Sequence, residues 1–282
     1  MKFKRIYVEI CNTCNLSCSF CASRPAKPRV MTLKQFEKIL AQVRFYTSYL
    51  YLHVLGEPLM HPDLAGILAA CRQEGVHVQL TTNGTLLKER LPVLKQYPPR
   101  QINISIHSYW EQPACFSENY LQDVLACGDV LAANSYISYR LWQVKKGEND
   151  PNTAYLLKMI VDHYGQPFPE RLDRGMTLAP QRFLSFDSSF VWPSVQNPFV
   201  SETGRCRGLL EMVAILSNGN VVPCCLDAHG EEVLGNIFEE SFETILSKPH
   251  TEMLQDAMKQ GKLLSPLCQH CSYRLRFDKT RR

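Results

Sequence analysis

No stretch of 18 apolar residues occurs in this 282-residue chain, which argues against a membrane-spanning helix and against a membrane partner. No secretory leader pattern opens it, so the expected location is a reducing cytoplasm. Charge of one sign is scarce as well. The 31 Lys and Arg against 27 Asp and Glu leave a net charge of +4, a mild value that points to no particular partner. Only the tail, with Arg274, Arg276, Lys279, Arg281 and Arg282, is conspicuously basic, and it reads as a solvated terminus. At 45% hydrophobic residues the chain can bury a sizeable core, as one large domain or one with a small companion. Cysteine, by contrast, is plentiful, with 12 residues. A chain of this length in a reducing compartment needs no disulfide staples, so the thiols are expected to serve metals.

The densest group is Cys14, Cys18 and Cys21, a C-x3-C-x2-C run directly after an apolar segment at 6–10 that reads as a strand. Three thiolates on one loop can hold three irons of a [4Fe-4S] cluster and leave the fourth iron open to a small molecule. Cys11 adds a second C-x2-C with Cys14, so a zinc knuckle is the competing assignment. Zinc sites, however, usually separate two such pairs by a longer loop. The thiolate spacing, Phe20 before the last Cys, and the position after a first strand resemble the radical S-adenosylmethionine (SAM) enzymes.

Beyond this loop, strand-like and helix-like segments alternate. Strands are expected at 6–10, 49–54, 76–81, 101–107 and 136–142, with a weak one near 176–178. Helices are expected at 32–45, where Thr32 suits the cap, and at 63–73, 86–96, 119–133 and 152–164. Repeated strand-helix units imply right-handed parallel crossovers. Within the strands, Leu50, Leu52 and Val54 oppose Tyr51 and His53, and Ile102, Ile104 and Ile106 oppose Asn103, Ser105 and His107. Glu9, Gln79, Thr81, Ser138 and Arg140 fall likewise on the less apolar faces. A parallel sheet covered on both sides reads as nearly continuous Val, Ile and Leu. The pattern here predicts helices on one side and a polar, ligand-filled concavity on the other, with a half-wet antiparallel sheet as the alternative. The expected class is α/β: an incomplete (β/α)6 TIM-like barrel over 1–180, a linker with substrate-side loops over 181–205, and a small iron-sulfur domain over 206–282.

Several motifs fall at the C-terminal ends of these strands, where such folds place their chemistry. Gly56 lets a ligand approach the backbone closely, and Glu57 offers an acceptor for an ammonium group. The Gly56-Glu57-Pro58 turn resembles the family's glycine-rich element that receives the methionine amino group of SAM, although Leu55 stands where a first glycine is usual. By the same resemblance Thr81, Asn83, Ser105 and Arg140 surround the ribose and the methionine carboxylate, which the planar fork of an Arg suits. The resemblance also implies the chemistry: a reduced cluster cleaves SAM to a 5′-deoxyadenosyl radical that takes hydrogen from a substrate. A flavodoxin- or ferredoxin-type reductant is the implied partner.

A second constellation lies near the C-terminus: Cys206, Cys224, and the pair Cys268 and Cys271. Two apolar runs at 213–216 and 221–222, joined through Asn218-Gly219, read as a hairpin, and amphipathic segments at 242–246 and 253–258 precede the final C-x2-C. Four thiolates can satisfy a cluster completely; a four-cysteine zinc ribbon fits the spacing too. The layout resembles the auxiliary-cluster SPASM domain of radical SAM enzymes in its shortened "twitch" form, because no Cys follows Cys271. The resemblance implies one auxiliary [4Fe-4S] cluster, two clusters in all, and favours Cys224 over its neighbour Cys225 as ligand.

Function then divides. A fully ligated second cluster suits electron transfer, so a net oxidation of an unidentified substrate is the first expectation. A modifying or crosslinking enzyme acting on a peptide or RNA is the second, and a zinc-stabilised binding protein without catalysis is the third. His107, with His53 beside it, and the loop residue Cys115 are candidates for moving a proton or hydrogen. Residues 166–204 carry no readable motif.

Overall fold

In a computed structural model of the chain, residues 2–23, 27–142 and 151–278 are described. Ten strands form one sheet: β1 (Arg5–Val8), β2 (Tyr49–Tyr51), β3 (His77–Thr82), β4 (Gln101–Ile104), β5 (Tyr136–Leu141), β6 (Met176–Ala179), β7 (Arg182–Phe186), β8 (Met212–Ile215), β9 (Asn220–Val222) and β10 (Gly235–Asn236). Their order is β10-β9-β8-β1-β2-β3-β4-β5-β7-β6. The seven central strands, from β8 to β7, are all parallel, and an antiparallel partner flanks each end. This is the partial TIM-like barrel expected, extended at one edge by the C-terminal hairpin.

The helices α1 (Leu33–Val43), α2 (Leu64–Gln73), α3 (Leu87–Gln96), α4 (Tyr120–Leu131) and α5 (Pro151–His163) follow the strands. Helix α1 starts at a reciprocal cap: Thr32 Oγ1 accepts from Gln35 N, and Gln35 Oε1 accepts from Thr32 N. Its stripe of Phe36, Ile39, Leu40 and Val43 is buried, each side chain contributing about 1.5–3 kcal/mol by leaving water. Against these helices lie Ile6, Val8, Leu50, Leu80, Ile102, Ile104 and Ile137, all buried. The alternation therefore assigns the apolar faces as the sequence implies, and of the opposite residues His53, Thr81 and Ser105 line the main cavity.

Three expectations need correction. The linker assigned to 181–205 contains β7, which supplies the parallel neighbour of β5; the weak strand at 176–179 only flanks it, antiparallel. The strand expected to reach His107 ends at Ile104, because a 3-10 turn takes over from Ile106 to Trp110. The C-terminal hairpin joins the barrel sheet through β8, parallel to β1 with Ile6 opposite Val213.

The tail also departs from a solvated terminus. Arg274 is buried, and Arg276 pairs with Asp187 at 3.0 Å; Lys279, Arg281 and Arg282 lie outside the described residues. Helices α6 (Phe242–Leu246), α7 (Pro249–Lys259), α8 (Pro266–Gln269) and α9 (Leu275–Asp278) lie in the C-terminal part.

Candidate active site and metal centres

The loop after β1 brings Cys14, Cys18 and Cys21 to one wall of a cavity of about 490 Å³. Cys18 and Cys21 hydrogen-bond to each other, which holds the Cys21 thiol below its ordinary range. Leu16 N donates to Cys14 Sγ at 3.4 Å, and Asn83 Nδ2 approaches the same sulfur at 3.8 Å. Cys11 turns away: its thiol is buried and donates to the Glu57 carbonyl at 3.3 Å. Three soft ligands therefore face the cavity and the fourth nearby sulfur does not, the donor set that a site-differentiated [4Fe-4S] cluster requires.

Gly56 and Glu57 hold that loop in place. Gly56 has φ +80°, and a Cβ there would overlap the Cys11 carbonyl and come within 2.9 Å of Thr13 O. Glu57 N donates to Thr13 O at 2.9 Å. The Glu57 carboxylate, however, is not the ammonium acceptor expected. One oxygen accepts from Leu59 N at 3.0 Å, capping the turn Pro58–Met60, and the other accepts from Asn83 N at 2.7 Å. Burial pushes its pKa up to about 7 against these hydrogen bonds. Glu57 thus ties the loop after β2 to the loop after β3.

Of the remaining candidates, Phe20, Gly56, Glu57, Thr81, Asn83 and Ser105 all line the cavity. Pro58 sits behind it, buried in the turn. Arg140 lies beside it: its Nη1 donates to Thr81 Oγ1 at 3.5 Å, and its guanidinium lies 4.3 Å over the Trp142 ring. Burial lowers its pKa to about 10, so it remains a cation at neutral pH. His107 packs against Phe20 with ring centroids 4.9 Å apart, and its Nδ1 donates to the Arg140 carbonyl at 2.9 Å. Cys115 is exposed on the turn Pro113–Cys115 and does not reach the cavity.

His53 is placed differently. It lines the cavity, and its Nδ1 is buried without a partner among the described residues; burial lowers its pKa to about 3. Trp192 escaped sequence reasoning altogether. It joins the cavity wall from the segment after β7, and its Nε1 donates to Phe20 O at 2.9 Å. A lone Trp before Pro193, in a segment without a motif, carried no signal of this.

The second set shares one neighbourhood, although no three His, Cys, Asp or Glu among the described residues are grouped closely enough to hold a single metal ion. Cys224 lies within electrostatic reach of Cys206 and Cys268, and Cys206 acts on both Cys268 and Cys271. Gly208 N donates to Cys206 Sγ at 3.4 Å, while backbone amides serve Cys224 and Cys271. Cys225, next in sequence, takes a hydrogen bond from the Tyr7 hydroxyl of β1, so the two adjacent thiols part. Four sulfurs with backbone donors around them are the chemistry of a cluster with every iron held by protein.

Residues 8–133 match the radical SAM superfamily, and residues 206–272 match the SPASM iron-sulfur cluster-binding domain. The chain carries a radical SAM domain followed by a SPASM domain. The two matches contain all seven candidate cluster thiols, so the radical SAM and SPASM domains here imply [4Fe-4S] clusters and SAM. Among curated relatives, GTP 3′,8-cyclase of Aquifex aeolicus is 33% identical over 37% of this chain and 35% of its own. The antilisterial bacteriocin subtilosin biosynthesis protein AlbA of Bacillus subtilis is 24% identical over 88% of this chain and 60% of its own. The radical SAM chain thus spans between 35% and 60% of the length of these two relatives.

Among solved structures, BtrN in complex with AdoMet and 2-DOIA superposes with a TM-score of 0.63 at 17% identity, covering 96% of this chain and 94% of that one. SuiB of Streptococcus suis bound to precursor peptide SuiA gives a TM-score of 0.60 at 14% identity, covering 99% and 74%. At these identities the likeness is one of fold. No helix among the described residues is long and apolar enough to cross a membrane.

Proposed function

We propose that this radical SAM enzyme catalyses a net oxidation in a reducing cytoplasm, drawing its first electron from a flavodoxin- or ferredoxin-type reductant. When bound, the N-terminal cluster and SAM supply a carbon-centred radical that takes a hydrogen atom from substrate, and the auxiliary cluster supplies an acceptor for one electron. The observation that carries the reading is the four-thiol set of Cys206, Cys224, Cys268 and Cys271. With all four positions filled by protein, such a cluster has no iron free to chelate substrate, which leaves it electron transfer.

This chain's own residues then have defined tasks. Cys14, Cys18 and Cys21 hold the open cluster, and Gly56 and Glu57 fix their loop. Thr81, Asn83, Ser105 and Arg140 orient SAM. An oxidation must also release a proton, and His53 is placed to take it: it lines the cavity and its Nδ1 has no partner among the described residues, although burial, which lowers its pKa to about 3, works against protonation. His107, whose Nδ1 already serves a backbone carbonyl and whose pKa burial lowers to about 4, is the less available acceptor. A second reading, modification of a peptide, is favoured by one observation: the alignment with AlbA runs over 88% of this chain.

Anaerobic reconstitution tests the proposal. The expected protein holds about eight irons and forms 5′-deoxyadenosine when reduced with SAM. Replacing Cys14, Cys18 and Cys21 by Ala abolishes this cleavage, whereas replacing Cys268 and Cys271 spares it and blocks product. Tightly held zinc without cleavage would leave a metal-stabilised binding protein, and a Cys268/Cys271 variant with full turnover would remove the electron-acceptor role.

A further inference from the structure

Arg274 is the largest fully buried side chain among the described residues, at 2% exposure. A guanidinium is expensive to bury unless its donors are satisfied. Its Nη1 pairs with Asp278 at 3.1 Å, but Nε and Nη2 are buried and have no partner among the described residues. Room for the group is built in, because a Cβ at Gly204 would overlap its Nη1. Among the candidate ligands beside it, burial raises the Cys206 and Cys271 thiols, and the Arg274 charge is one of the influences that oppose this.

An Arg has donors only and keeps its charge at any physiological pH. We infer that Arg274 is a positioning residue of the auxiliary cluster, giving its two free donors to cluster or thiolate sulfur and favouring the reduced form by its charge. Reduction adds one negative charge to the cluster, and both a fixed cation and hydrogen bonds to sulfur raise the potential at which that happens. The inference rests on the proposed four-thiolate cluster, and it explains why so large a cation is enclosed at this end of the chain.

The test is a potentiometric titration of the reconstituted enzyme followed by electron paramagnetic resonance, with the N-terminal cluster as internal reference. Arg274→Met should lower the reduced-to-oxidised ratio of the auxiliary cluster at least tenfold at a given potential, a shift of about 59 mV for one electron, and leave the N-terminal cluster unmoved. Asp278→Asn, which removes the anion beside the guanidinium, should shift the auxiliary cluster the opposite way. An Arg274→Met protein with both clusters and an unmoved auxiliary potential overturns the inference. If that variant fails to hold its second cluster, Asp278→Asn decides alone, and an unmoved or lowered potential overturns it. A wild-type protein with a single cluster would instead overturn the electron-acceptor reading beneath it.

Discussion

Glu9 Oε1 accepts hydrogen bonds from Ser217 Oγ at 2.7 Å and from Ser217 N at 3.2 Å, while Oε2 accepts from Leu55 N at 3.0 Å. One buried carboxylate at the end of β1 therefore joins the loop after β2 to the turn of the C-terminal hairpin. It is the polar anchor by which the radical SAM half and the auxiliary half share a single sheet. Glu9→Ala would leave three buried donors unpaired and should cost on the order of 3 kcal/mol of stability. Ser217→Ala removes one of the three bonds and should cost about 1 kcal/mol. Urea denaturation of both variants checks the ranking, and equal losses would show that the bonds from Leu55 N and Ser217 N contribute nothing.

Gly56→Ala separates the two metal centres. The added Cβ collides with backbone of the cysteine loop, at Cys11 and Thr13, and rigid backbone cannot yield as a side-chain tip can. The expected protein loses about four irons and its SAM cleavage, and retains the auxiliary cluster. Full iron content in this variant would contradict the close packing described here.

Cys115→Ser should leave SAM cleavage within about twofold of wild type, since an exposed substitution away from the site changes energies by only about 0.5 kcal/mol. The residue stands on an outer turn. A large loss would return it to the candidates for carrying hydrogen.

How far these residues were legible depends on the range of the interaction. The three thiols of one loop and the alternation of Ile102, Asn103, Ile104 and Ser105 are local signals, and the fold keeps both. The pairing of β8 with β1 joins segments some two hundred residues apart, and nothing local distinguishes a hairpin that stands alone from one that extends a barrel. Strand β7 was hidden because Arg182-Phe-Leu-Ser-Phe186 is short and lies in a stretch without a motif. Charge misled twice. Arg274 reads as a solvated cation until Gly204 and Asp278 are seen around it. Glu57 reads as a ligand contact until both oxygens are found on backbone amides.

Glu57 also sets a pH dependence. Its carboxyl is raised from 4.5 to about 7, chiefly by burial, so the folded state prefers the protonated form. That preference stabilises the fold below about pH 4.5 and is lost as pH rises through about 7. A rise of this size corresponds to on the order of 3 kcal/mol. Glu57→Gln cannot ionise, so wild type should lose stability relative to the variant between about pH 4.5 and 7. Urea denaturation across that range measures the difference; a constant difference would mean that the amides of Leu59 and Asn83 keep the carboxylate ionised throughout.

Arg140 supplies a cation that forms no ion pair among the described residues. Asp187, the acid that acts on it, is already paired with Arg276 at 3.0 Å, and the guanidinium rests on Trp142 and reaches Thr81 on the cavity wall. Half-buried and singly charged, it is prepared for an anion that arrives with a ligand, and the methionine carboxylate of SAM has the planar geometry to take two of its donors. A charge-assisted pair of this kind contributes about 1.5–3 kcal/mol, and each 1.4 kcal/mol is about tenfold in affinity. Arg140→Met should therefore weaken SAM binding to the reconstituted enzyme by about 10- to 100-fold, and Arg140→Lys, which keeps the charge without the fork, should recover part of the loss. Equilibrium binding of SAM reads both variants. If Arg140→Met binds SAM as tightly as wild type, the cation faces the substrate instead of the methionine carboxylate.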